Sequence, residues 1–158
     1  MNTLIVCFSR FGNTRAIAEA LAETEALAGK VQILNFDQLD GGSFSEINLL
    51  IMGCPTHRMG LPRELRPILK TLPRRILHKT PAAVFDTSYK LSPWLAPFSA
   101  SHRLASVVRR LGGRLVVPPQ TFHVIGREGP LYLGEIELAK DWISRVCNEI
   151  GSVSRNPK

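Results

Sequence analysis

Five residues near the start of the chain have the types and spacing of an anion site: Ser9, Arg10, Gly12, Asn13 and Thr14, all within Ser9-Arg10-Phe11-Gly12-Asn13-Thr14. They follow the apolar run Leu4-Ile5-Val6-Cys7-Phe8 and precede an amphipathic stretch. Two hydroxyls and the free N–H groups of a helix start can surround a phosphate, and the helix dipole adds to the attraction. Gly12 lets the backbone approach the ligand closely. The loop is neither a Walker A motif nor GxGxxG, because no Gly-Lys-Ser/Thr follows and only one glycine is present. The same residues also suit an ordinary capped turn, with Asn13 or Thr14 as the cap. On this loop alone both readings stay open.

Other chemistry-bearing groups cluster in two later segments. Cys54-Pro55-Thr56-His57 leads on to Met59-Gly60, and Asp86-Thr87-Ser88-Tyr89 follows an apolar run and precedes Trp94. Asp86 reads as a loop-fixing carboxylate rather than an acid or base. His57, His78, His102 and His123 lack metal-ligand spacing, so no metal is expected. The three cysteines, Cys7, Cys54 and Cys147, form no CxxC pair and read as reduced, mostly buried thiols.

The elements that must position these residues follow from periodicity. Short apolar runs at Leu4–Phe8, Val31–Phe36, Ile47–Met52 and Pro81–Phe85 predict strands buried on both faces. Arg114–Val117 and Thr121–Val124 predict a fifth strand broken at Pro118-Pro119. Between them, Ile17, Leu21 and Ala28 mark a helix ended by Gly29. Leu61 to Leu72 mark a second, with Pro62 in its first turn, and Leu104 to Leu111 a third, stopped by Gly112-Gly113. Residues 37–46 hold at most a turn or two of helix, and 87–99 read as a proline-stiffened loop. Ile136 to Ile150 predict the last helix, with a frayed tail over 151–158 after one domain at 1–150. Alternating strands and helices predict an α/β fold, a doubly wound five-stranded parallel sheet of order 2-1-3-4-5. Such sheets bind ligands beyond the carboxyl ends of their strands, which directs attention to loops 9–14, 53–61 and 86–99.

The stretch from Ile5 to Thr14, with Ala18 following, resembles the flavodoxin FMN-phosphate signature: an apolar strand, then Ser/Thr-x-x-Gly-x-Thr, then alanine. Flavodoxins favour an aromatic where Cys7 stands. Gly53-Cys54-Pro55-Thr56 is similar to the second flavin loop of flavodoxin-like quinone reductases, and Phe85-Asp86-Thr87 to the third. The segment Gly129-Pro130-Leu131 through Ala139 is similar to a subgroup of flavodoxin family proteins, so the resemblance covers about residues 2–150. It implies that Ser9, Arg10, Gly12, Asn13 and Thr14 surround the FMN phosphate. The flavin ring then lies among Pro55, Thr56, His57, Met59 and Gly60 on one side and Asp86, Thr87, Ser88, Tyr89 and Trp94 on the other. The Met59-Gly60 peptide is the expected tuning group near flavin N5, and Tyr89 and Trp94 the expected ring covers.

Function then divides between an electron carrier and an FMN-dependent NAD(P)H or quinone reductase. The short chain, with little insertion material, favours the carrier, while a scaffold that has lost FMN stays open. A response-regulator receiver fails, because Phe8-Ser9-Arg10 and Gly53-Cys54-Pro55 stand where its acidic groups belong. Net charge is +7 over 158 residues, and the excess sits in residues 58–90, which carry eight basic and two acidic side chains. That balance suits an acidic redox partner protein. No recognition motif supports a nucleic-acid role. No apolar run approaches a membrane span, and Leu4–Phe8 is too short for a signal peptide, so a cytoplasmic monomer or homodimer is expected.

Overall fold

The computed structural model describes the backbone of residues 1–155 and the side chains of 1–152. Six strands, β1 (Asn2–Cys7), β2 (Lys30–Asn35), β3 (Leu49–Pro55), β4 (Pro81–Ser88), β5 (Arg114–Leu115) and β6 (Gln120–His123), are interspersed with four α-helices, with only the 3₁₀ turn Phe36–Gln38 between β2 and β3 and no helix between β5 and β6. The helices are α1 (Asn13–Ala22), α2 (Leu65–Thr71), α3 (Ala100–Arg110) and α4 (Glu135–Arg155). Every strand pairing is parallel, and the order is β2-β1-β3-β4-β5. The remaining strand, β6, lies further along the same edge of β4, beside Phe85–Ser88, where β5 lies beside Pro81 and Ala82. Together β5 and β6 are the expected broken fifth strand. Pro118 and Pro119 fall in the gap because neither has an N–H to give the ladder.

Strand alternation divides the core between the two faces of the sheet. Leu4, Val6, Leu50, Met52, Cys54, Ala82 and Val84 pack with Leu65, Leu69, Leu104 and Val108 of α2 and α3. Ile5, Cys7, Leu49, Ile51, Ala83 and Phe85 pack with Ile17 and Leu21 of α1 and Trp142, Ile143 and Val146 of α4. Phe85, Phe122 and Trp142 meet edge to face with centroids 5.7–6.1 Å apart. Gly53 is a requirement of this packing rather than the end of a strand. A Cβ there would lie 2.1 Å from the Phe85 ring.

Several boundaries differ from the sequence reading. The first helix, α1, stops at Ala22, and the apolar spacing continues only because a short 3₁₀ turn, Glu25–Leu27, still buries Leu27 on the same core. Ala28 is outside any helix. The second, α2, begins at Leu65, not Leu61. Pro62 heads a preceding turn closed by Leu65 N–H to the Pro62 carbonyl (3.1 Å), and Pro67 takes the third helical position, where its missing N–H would have no partner. β3 is offset from 47–52 and runs on through Pro55, and β4 runs to Ser88, so Asp86, Thr87 and Ser88 belong to a strand end. The 87–99 loop contains a 3₁₀ turn, Pro93–Phe98. At the C-terminus, α4 passes Gly151 and continues to Arg155, while 156–158, part of the expected tail, lie outside the described residues. No described helix is long and apolar enough to cross a membrane.

Candidate functional site

The carboxyl ends of β1, β3, β4 and β6 open at one end of the sheet. The first loop leaves β1 after Cys7, and Phe8 N–H donates to the Gly53 carbonyl (3.0 Å). The chain turns at Gly12 (φ 93°), whose N–H donates to Ser9 Oγ (3.0 Å). Gly12 also stands at the N-cap of α1, so neither Asn13 nor Thr14 is the cap, and no side chain caps the helix. The first N–H groups of α1 therefore remain available to a ligand. Asn13 Nδ2 instead donates to the Glu128 carbonyl (3.1 Å), and the buried Thr14 hydroxyl bonds that of Thr87 (2.8 Å). One bond between two hydroxyls leaves one O–H proton over for a third partner. The Arg10 guanidinium is already engaged by Glu64 (2.7 Å).

The second loop is a two-residue turn. His57 and Gly60 exchange both backbone hydrogen bonds (2.9 and 3.1 Å), and Arg58 and Met59 between them have φ 44° and 60°. That is the I′ arrangement, held without glycine at either left-handed position. Turning the Met59–Gly60 peptide would break the Gly60 N–H bond, so the expected tuning peptide is held. The unbonded peptide of the turn is Arg58–Met59. Thr56 faces inward: its hydroxyl donates to Asp86 Oδ2 and accepts from Ala100 N–H (2.9 Å). The fully buried Asp86 also accepts from Thr121 Oγ1 (2.6 Å). It fastens the second loop, the start of α3 and β6 to the end of β4, as a loop-fixing carboxylate should. Burial, with Asp86 nearby, pushes the Cys54 thiol well above its ordinary range, which keeps it protonated.

These loops enclose a cleft of about 330 Å³, within the size range of small-molecule sites. Of the expected residues, Ser9, Arg10, Asn13, Thr14, Pro55, Thr56, His57, Thr87, Ser88 and Tyr89 line it. Gly12 makes its turn, and Asp86 supports it from below. Met59, Gly60 and Trp94 are outside the lining, and Trp94 is 73% exposed. Four residues outside the expected set also line the cleft: Phe11, Arg58, Val124 and Arg127. Arg127 stands in a fourth loop that folds back as a hairpin. Ile125 N–H meets the Pro130 carbonyl (2.9 Å), and Gly129 N–H meets that of Gly126 (3.1 Å). The paired glycines and proline of Gly126–Pro130 were the signal for that turn, but nothing local ties it to α1. Gly129 packs against Asn13, where a Cβ would come within 2.5 Å of Oδ1.

The cleft is electropositive at its mouth. His57 has its pKa lowered, first by loss of solvation and next by the cations Arg10 and Arg58, with Arg127 adding to the effect and Glu64 opposing it. Among the described residues, no group of His, Cys, Asp and Glu side chains could hold a metal ion.

No protein-family model matches the chain, and a search of curated proteins finds no match. Solved structures do match in shape. Oxidised flavodoxin 2 from Bacillus cereus superposes with a TM-score of 0.77 at 17% identity, covering 94% of this chain and 99% of that one. The flavodoxin, WrbA-like protein from Agrobacterium tumefaciens gives 0.69 at 22% identity, covering 96% and 98%. A flavodoxin from the domain Archaea gives 0.69 at 17%, covering 96% and 99%. With its parallel sheet in the order 2-1-3-4-5 and its cleft at the strands' carboxyl ends, this chain has the flavodoxin fold.

Proposed function

We propose that this chain binds FMN non-covalently and serves as an electron-transfer protein. The observation that carries this reading is the uncapped start of α1 behind Gly12, set in a cleft that Ser9, Thr14 and Thr87 also line. A terminal phosphate suits that donor set: helix N–H groups, the Ser9 hydroxyl and the proton left over by the Thr14–Thr87 pair. Arg10 contributes less there, because Glu64 already neutralises it. Pro55 and His57 on one side and Ser88 and Tyr89 on the other leave a slot for a flat ring. Bound FMN supplies the electron transfer, and the protein supplies position and electrostatics. Asp86 and Thr56 act as positioning residues, since the Thr56 hydroxyl is engaged by Asp86 and Ala100 N–H and holds the second loop against α3. A cytoplasmic setting fits the three free thiols.

The visible spectrum of the purified protein tests the reading. Flavin absorption that survives gel filtration, with FMN rather than FAD released on denaturation, is the expected result. A colourless protein that takes up no added FMN would overturn it. Bleaching by NADH or NADPH alone would identify a reductase instead of a carrier.

A further inference from the structure

Among the described residues, every large exposed hydrophobic side chain except Met1 lies on the loops around the cleft. Phe11 is on the first loop, Tyr89, Trp94 and Phe98 on the third, and Ile125 and the Tyr132-Leu133 pair on the fourth. One flavin ring cannot cover so wide a set, and Trp94 and Leu133 (104% exposed) are outside the cleft lining. Basic side chains stand on the cleft loops and at the start of α2: Arg58, Arg63, Lys90 and Arg127 on the loops and Arg66 on the helix, all exposed. Opposing charge on this end is limited. Glu64 is paired with Arg10, and the Glu135 carboxylate turns inward to accept from His123 N–H (3.0 Å), leaving the exposed Asp37, Glu128 and Glu137 against these five cations. An exposed apolar patch with a charged rim marks an interaction surface.

We infer that this end of the molecule is a docking face for an acidic partner protein, with apolar contacts at Trp94, Phe98 and Leu133 flanking a basic cleft mouth lined by Arg58 and Arg127. Charge complementarity selects the occupant. A second copy of this chain would set arginines against arginines across a symmetric contact. A nucleotide could meet Arg58 and Arg127 but would leave Trp94, Phe98 and Leu133 uncovered. The electron-transfer purpose of the face rests on the flavin reading, whereas its geometry does not.

The probe is a small acidic [2Fe–2S] ferredoxin, with the basic protein cytochrome c as control. Both are titrated into the ¹⁵N-labelled chain in the presence of excess FMN, and amide resonances are followed. Ferredoxin is expected to perturb amides at residues 10–12, 57–66, 89–98 and 125–133. The perturbation should disappear at about 1 M salt, where the Debye length falls to about 3 Å. Arg63→Glu with Arg66→Glu is expected to weaken binding at low salt by about tenfold or more. Trp94→Ser is expected to weaken it at both low and moderate salt. The inference is overturned by any of four results: no perturbation by ferredoxin, perturbation of another face, cytochrome c binding equally well, or concentration-dependent dimerisation through these loops. NADPH displacing ferredoxin from Trp94 and Leu133 would equally overturn it. A ferredoxin map without FMN binding would refute the flavin reading and leave the docking face standing. FMN binding without a map would do the reverse.

Discussion

Replacing Thr14 by Val separates the folding role of this hydroxyl from its binding role. The side chain keeps its shape, but Thr87 Oγ1, buried 2.8 Å away, loses its partner. An unsatisfied buried hydroxyl costs about 1–3 kcal/mol. At roughly 2–4 °C per kcal/mol for a domain of this size, Tm should fall by about 2–12 °C. Thr87→Val should do the same from the other side. The double variant removes both hydroxyls, so no orphan remains, and stability should return to within about 1 kcal/mol of the parent. FMN affinity should not return. A hydrogen bond to a charged group contributes on the order of 1.5–3 kcal/mol, so Thr14→Val and the double variant should both bind FMN about 10- to 150-fold more weakly. Urea unfolding of the apoprotein and quenching of flavin fluorescence measure the two quantities independently. Simple additivity of the two destabilisations would refute the bonded pair. Recovered FMN affinity in the double variant would refute the phosphate assignment.

Three further outcomes follow from local geometry. Gly53→Ala drives a Cβ to 2.1 Å from the Phe85 ring, so chemical unfolding should show a loss of about 1–3 kcal/mol or more. The His57 ring should titrate below its ordinary value near 6.5 by NMR, and Arg58→Gln with Arg127→Gln should move the midpoint upward, because cations disfavour the imidazolium. With its folded pKa lowered, His57 contributes stability that is present above about pH 6.5 and lost as pH falls through the folded value, a slope that His57→Gln should flatten in apoprotein unfolding. Gly129→Ala should push Asn13 aside and release the fourth loop, seen as faster amide exchange at residues 125–131 with core protection unchanged.

The sheet was legible because its strands are buried on both faces and therefore read as unbroken apolar runs, such as Leu4 to Phe8. Even the interruption at Pro118-Pro119 followed from missing donors. The first loop was legible for a related reason: its hydroxyls and Gly12 sit directly between a buried strand and an amphipathic helix. Contacts between distant residues were not legible. Thr14 meets Thr87 across 73 positions, and Asn13 meets Glu128 across 115. Those bonds moved Thr14 and Asn13 away from the capping role that local pattern suggested and brought Arg127 to the cleft. Arg58-Met59 forms a I′ turn without the Asn-Gly or Asp-Gly signal that usually announces one. Helix ends were misread where an apolar residue such as Leu27 reaches the same core from a different backbone conformation. Trp94 lies in the third loop as expected, but the 3₁₀ turn Pro93–Phe98 leaves it exposed and outside the cleft lining.

The central claim is that the first loop and the start of α1 hold a terminal flavin phosphate. Parallel titrations of the apoprotein with FMN, riboflavin and FAD test it most directly, because the three share a ring and differ in phosphate. FMN should bind tightest, with riboflavin weaker by about two orders of magnitude or more, corresponding to one or two charged hydrogen bonds. FAD should bind more weakly than FMN, since Ser9, Gly12 and Thr14 offer a terminal-phosphate site and not a pyrophosphate one. Equal affinities for FMN and riboflavin, or no binding of any flavin, would contradict the account.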